Sequence, residues 1–248
     1  ILTMDLTRKN PEYMAIEDKQ ISFLEYVIKT KNEKNCVKKF DVTDLYEREF
    51  GYGKNENAYC TPYTLLRLLV DLIPEMPDKI LYLDIDMMAN DDISRLYNID
   101  ISEYEYAAVK EKYGSKFIKW DYINAGMLLL NMEIIRQTRL FEKARNLLKK
   151  RKMLFADQDA IYWSTTKKKL LPRIYNEQSK FNKKDTVICH FCKRLLIWPY
   201  PRTENFKQWN IKEVHKILKC YCFDDDLNEY LKWKSKYEKE VENEGVKY

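Results

Sequence analysis

Hydrophobic positions along this chain fall into two rhythms. Short apolar runs at 1–6, 37–42, 79–85, 106–109, 127–131, 170–175 and 186–190 read as strands. Between them, apolar residues recur at helical spacing. In 17–31, Ile21, Leu24, Val27 and Ile28 share one face. A second helix, 63–73, is entered at Pro62 and closed before Pro74. A third, 133–150, ends in basic residues that suit the helix dipole, and a fourth covers 157–165. Asp91 or Asp92 stands where it can cap a short helix running through Tyr97. Strands that alternate with helices predict an α/β fold, with a mostly parallel central sheet flanked by helices. That domain is expected over 1–202, followed by a C-terminal helical extension over 203–248. No internal repeat or low-complexity linker interrupts the pattern.

The run 79–86 carries the most chemistry. An apolar strand passes directly into Asp84-Ile85-Asp86. Alternate residues of a strand point the same way, so the two carboxylates converge if the strand end stays extended. Convergent carboxylates at a strand's carboxyl end can hold a divalent cation, and the cation can hold a diphosphate. The competing reading is an acidic strand end that only caps the next turn.

Composition narrows the class. The chain has 248 residues and is 45% hydrophobic, enough for one sizeable core with a small appendage. Lys and Arg total 44 against 39 for Asp and Glu, a net charge of +5. That mild excess, without a long basic block, does not describe a nucleic-acid-binding surface. No apolar run approaches the ~20 residues that cross a bilayer, so the expected location is cytoplasmic. Cys189-x-x-Cys192 and Cys220-x-Cys222 can be read as a zinc site. However, Cys-x-Cys is an unusual second half, and Cys189 ends an apolar run that buries it. Reduced thiols are the expectation, and a disulfide framework does not suit a cytosolic chain of this size.

Further motifs follow the acidic pair: Tyr122-Ile123-Asn124-Ala125-Gly126 with its apolar continuation, Ala156-Asp157-Gln158-Asp159-Ala160, Leu171-Pro172-Arg173-Ile174-Tyr175-Asn176, and Ile188-Cys189-His190-Phe191. Upstream stands Thr64-Leu65-Leu66-Arg67-Leu68. In this order they resemble glycosyltransferase family 8, over roughly the first 198 residues. In pattern the chain resembles bacterial glucosyl- and galactosyltransferases that build surface polysaccharides. The resemblance implies a retaining, metal-dependent transfer of a hexose from a UDP-sugar donor to a saccharide or lipid-linked acceptor. It implies Mn2+ or another divalent cation on Asp84, Asp86 and His190. It implies Arg67 facing the diphosphate or donor sugar, and Asn124, Ala125 and Gly126 lining the sugar. Asp157 and Gln158 are the implied catalytic pair, Asp157 on the sugar hydroxyls and Gln158 below the anomeric carbon; Asp157 alone equally suits a helix N-cap. No further carboxylate stands out as a nucleophile. The family therefore favours same-face attack, in which the departing phosphate takes the acceptor proton.

The chain also departs from the family. Members usually read His-x-x-Gly-x-x-Lys-Pro-Trp after the ligand histidine. Here Lys193 replaces the glycine, Leu196 the lysine and Ile197 the proline. Lys193 or Arg194 is the expected source of the displaced charge. The family's usual first strand, with its acidic residue, Asn and Tyr near the uracil, is not recognisable. Strand 1–6 is accordingly expected at a sheet edge, beside an incomplete nucleotide pocket. The 110–121 loop looks short for the family's acceptor-side loop. Phe206, Trp209, Tyr221, Tyr230, Trp233 and Tyr237 stand among lysines in the tail. They read as a helix pair packed on the domain, with peripheral contact to an anionic membrane as the alternative. Two rival functions remain: a non-catalytic relative that binds ligands or partners, and a zinc-stabilised interaction module.

Overall fold

The computed structural model describes residues 1–51, 61–181, 185–196, 200 and 202–245; the side chains of 194–196 and 243–245 lie outside that description. In chain order the elements are β1 (Leu2–Thr3), α1 (Asp18–Lys29), β2 (Phe40–Asp41), α2 (Thr43–Phe50), a 3-10 helix (Pro62–Leu72), β3 (Lys79–Leu83), β4 (Met87–Ala89) and α3 (Ser94–Tyr97). Next come β5 (Tyr106–Lys110), α4 (Gly114–Phe117), β6 (Ile123–Asn131), α5 (Met132–Thr138), α6 (Leu140–Lys150), α7 (Ala156–Ser164), β7 (Lys168–Leu171) and a 3-10 turn (Arg173–Tyr175). The last are β8 (Ile188–His190), β9 (Arg194–Leu196), β10 (Arg202–Glu204), α8 (Ile211–Glu213) and α9 (Asp224–Gly245).

Two compact units result: 44–220, and 1–43 together with 221–248. The start of the chain and its last helix belong to one unit. There, β1 and β2 pair in parallel. Helix α1 opens on a capping box between Glu17 and Gln20. Its Phe23 and Tyr26 pack against Tyr237 and Trp233 of α9, with ring centroids 5.1 and 5.9 Å apart. Lys31 and Glu229 add an ion pair at 2.8 Å. Trp233 and Tyr237 thus serve helix packing, while Tyr221 and Tyr230 stay exposed. Among the described residues, no helix is long and apolar enough to cross a membrane.

In the 44–220 unit the sheet order is β3-β6-β5-β7. β6 is antiparallel to both β3 and β5, and β7 is parallel to β5. β3, β5 and β7 therefore share one direction and the central β6 reverses it, which makes this a mixed sheet within the expected α/β fold. The reversal has a local cause. The β5–β6 connection, residues 111–122, carries only the four-residue α4 and not the longer helix that usually makes a parallel crossover. Being central, β6 is buried from Ile123 to Leu130. Its Met127 and Leu129 join Ala107, Val109, Leu171 and Ile188 in one core. Helices α5 and α7 lie against β6 as well. Each fully buried Leu or Met contributes about 1.5–3 kcal/mol.

The expected helix over 133–150 is divided. Arg139 sits at φ 57°, in the left-handed region, and separates α5 from α6. Asn131 caps α5 by accepting from Ile134 N–H at 3.2 Å. The helix after Pro62 is wound as a 3-10 helix, and its buried side includes Arg67.

Candidate active site

β3 ends at Leu83, and Asp84-Ile85-Asp86 leaves the sheet. The strand end does not stay extended: Met87 N–H donates to Asp84 O at 3.2 Å, and this turn, not strand alternation, throws Ile85 out to 87% exposure between the two carboxylates. Backbone bonds hold both: Asp84 N–H donates to Gly126 O at 2.8 Å, and Phe191 N–H donates to Asp86 O at 2.8 Å. The antiparallel β4–β8 pair sets Met87 opposite His190. One ligand atom from each of Asp84, Asp86 and His190 then falls within 4.8 Å of the others. Among the described residues this is the group able to hold a metal ion; the four cysteines of the zinc reading form none.

Gly126 permits the convergence. A Cβ there would lie 2.4 Å from His190 Cε1 and 2.9 Å from Asp84 Oδ2. The small residue lets the histidine and the carboxylate come together over the start of β6.

Arg67 ties this group to the next. Its Nη2 donates to Asp84 Oδ1 at 2.8 Å, and Tyr82 Oη donates to the same oxygen at 2.9 Å. Its Nη1 donates to Ala125 O, and its Nε lies 3.1 Å from Asp157 Oδ2. The guanidinium also stacks over the Tyr82 ring, 4.5 Å from its centroid. Burial alone would lower the Arg67 pKa; Asp84 foremost, then Tyr82 and Asp157, outweigh it and keep the cation firmly protonated. Ala125 N–H donates to Gln158 Oε1 at 3.1 Å. Arg67, Asn124–Gly126, Asp157 and Gln158 therefore adjoin the acidic pair.

Complete burial pushes the Asp157 carboxyl up to about 6; Arg67 pulls it down, but nearby Asp84 opposes its ionisation. The folded pKa exceeds the unfolded one, about 3.9. The native state therefore holds this proton more tightly, and the stability it confers is full below about pH 4 and lost as pH rises through about 6. Relative to Asp157→Asn, the wild type should lose on the order of 2–3 kcal/mol between pH 4 and pH 7 in urea unfolding. A pH-independent difference between the two proteins would show an ordinary carboxyl.

Lys193 is exposed. Arg194 starts β9, with its side chain outside the described part, and Ile197 and Trp198 lie outside the described residues. Among the described residues a second cation besides Arg67 reaches the acidic pair: Lys207, which the sequence reading passed over. Its ammonium donates to Asp86 Oδ2, and next to it Gln208 Nε2 donates to Ile85 O at 2.7 Å. Burial would raise the Asp86 carboxyl; His190, when its ring carries both protons, and Lys207 outweigh it and hold Asp86 well below the ordinary carboxylate range. A signal for Lys207 did exist. Lys207-Gln208-Trp209 is a Lys-x-Trp, eleven residues beyond the position of the family's lysine at Leu196.

The family model described as glycosyl transferase family 8 matches residues 6–211, and the chain belongs to that family. A Haemophilus influenzae protein named as a glycosyltransferase is 31% identical over 115 residues, 42% of this chain and 35% of its own. General stress protein A of Bacillus subtilis is 27% identical over 132 residues, 48% of this chain and 44% of its own. The aligned part thus spans less than half the length of these curated relatives. The galactosyltransferase LgtC, solved with donor and acceptor sugar analogues, is similar in fold: TM-score 0.57 at 17% identity, covering 83% of this chain and 77% of that one. The bifunctional glycosyltransferase WbbM gives a TM-score of 0.51 at 17% identity, covering 68% of this chain and 37% of that one.

Proposed function

We propose that this chain carries a divalent-cation-dependent, retaining hexosyltransferase that uses UDP-glucose or UDP-galactose and a saccharide or lipid-linked acceptor. The observation that carries the reading is the convergence of Asp84, Asp86 and His190 beside the buried Arg67–Asp157 pair. The donor set fits a metal. Two carboxylates and an imidazole suit Mn2+, and Asp86 Oδ1 is buried with no hydrogen-bond partner among the described residues. A divalent cation held there would act as a Lewis acid on the departing diphosphate.

The chain's own residues supply the rest. Arg67 orients Asp84 and places positive charge at the mouth of β6. Asp157 meets the sugar hydroxyls, and Gln158 stands below the anomeric carbon. Asn124, Ala125 and Gly126 form the backbone bed of the sugar. Lys207, already at Asp86, is the best-placed cation for the diphosphate, with Lys193 and Arg194 as the alternatives. In same-face attack the acceptor hydroxyl's proton passes to the departing phosphate while its oxygen bonds the anomeric carbon.

The test is release of UDP from UDP-glucose and UDP-galactose with Mn2+ and with chelator. Release only with the metal is the expected result; a wild type that neither hydrolyses nor binds UDP in Mn2+ gives the lead to a non-catalytic relative. Lys207→Ala, Lys193→Ala and Arg194→Ala are then titrated with UDP. Lys207→Ala should weaken binding about tenfold or more, the loss of a charge-assisted contact worth about 1.5–3 kcal/mol. Weakening confined to either of the other two would put the phosphate charge at 193–194.

A further inference from the structure

We infer that Asn176 is a positioning residue that fixes which ring nitrogen of His190 carries the proton, and so sets the affinity of the Asp84–Asp86–His190 group for a divalent cation. The inference rests on the reading of that group as a metal site.

The argument begins at a backbone N–H, whose role is not open to choice. Gly126 N–H must donate, and it meets Asn124 at 3.1 Å; the amide atom there is therefore Oδ1. The same oxygen lies 2.8 Å from the side chain of Asn176, so the Asn176 atom facing it must be the donor, Nδ2. The other end of that amide, Oδ1, then faces His190 Nδ1 at 3.1 Å. A carbonyl oxygen only accepts, so Nδ1 carries the proton. In the neutral ring Nε2 is left with a lone pair, 3.2 Å from Asp86 Oδ1.

Two electron pairs thus face each other in a buried place: His190 is 3% exposed and Asn176 fully buried. A cation between them removes the repulsion. Outer partners of this kind fix the tautomer and ring orientation of ligating histidines. The backbone holds the relay in register. Asn176 N–H closes the 3-10 turn on Arg173 O at 3.0 Å. Its neighbour Glu177 exchanges backbone bonds with β8: Glu177 N–H to Ile188 O, and His190 N–H to Glu177 O, each 2.9 Å. Asn176 therefore lies fixed beside the ring it orients, and its amide links the sugar-facing Asn124 to the metal-facing histidine.

The chain has two histidines, so the His190 ring can be resolved by long-range 1H–15N correlation. In metal-free wild type, above the imidazole titration, His190 is expected as the Nδ1–H form. In Asn176→Leu, which keeps bulk and removes the acceptor, the Nε2–H form should grow. Binding of Mn2+ in the presence of UDP, followed by the EPR signal of free Mn2+, should weaken about 10–100-fold in that variant. An Nε2–H ring in wild type overturns the inference without any variant. So does a folded Asn176→Leu protein with the wild-type tautomer or with Mn2+ affinity within twofold of wild type. A wild type with the Nδ1–H ring that takes up no Mn2+ overturns the metal reading itself, and with it the claim on affinity.

Discussion

Asp86→Asn is expected to remove Mn2+-stimulated UDP release almost completely. A Lewis-acid contact to a leaving diphosphate is worth several kcal/mol, so a fall of about 10²-fold or more is the scale. The amide cannot replace a carboxylate as a hard, charged ligand. Asp86 is only 8% exposed and carries the Lys207 contact, so the substitution also touches the fold. The Lys207 side chain is 22% exposed and can turn to water, which limits the stability loss to about 1–2 kcal/mol. A variant that keeps both its rate and its Mn2+ dependence would show that Asp86 is no ligand.

Arg67→Met should be the most destabilising change in the cluster. The guanidinium is 3% exposed and serves Asp84, Asp157 and the Ala125 carbonyl together. Taking one partner from a buried ion pair leaves charge without compensation, at a cost of about 3–5 kcal/mol. Urea unfolding at pH 8 should show that loss. At pH 5 the loss should be smaller, because Asp157, already pushed up to about 6, takes a proton more readily without Arg67. Exchanging Arg67 and Asp157 together for apolar residues should recover part of the stability while transfer stays absent. A drop below about 1 kcal/mol for Arg67→Met at pH 8 would contradict the buried ion-pair cluster.

What the sequence made legible follows from how local each cause is. The Asp84–Asp86 spacing, the apolar run into β6 and the amphipathic spacing of α1 depend on neighbours a few residues away, and the structure realises them. Helix α2 went unread because its buried residues are only Tyr46 and Phe50, a single i,i+4 pair with too little periodicity to stand out. The break at Arg139 has no Gly or Pro to announce it. The pairing of α1 with α9 depends on Tyr26 and Lys236, 210 positions apart, which no window can join. Lys207 was hidden differently. Its type fits the expectation and its position does not, because a strand pair, β9 with β10, intervenes between His190 and the lysine.

Position 126 has a consequence for how this chain can vary. Most core sites accept a methylene more or less at modest cost, and drift by small steps through Leu, Ile and Met. The strand start at Gly126 offers no such step. Alanine is the smallest possible change, and it already places a carbon inside the space of His190 and Asp84. A second substitution at either neighbour would relieve the clash only by surrendering a residue that gives the cleft its chemistry. Variation at this site is therefore confined, and falls instead on positions away from the His190–Asp84 contact.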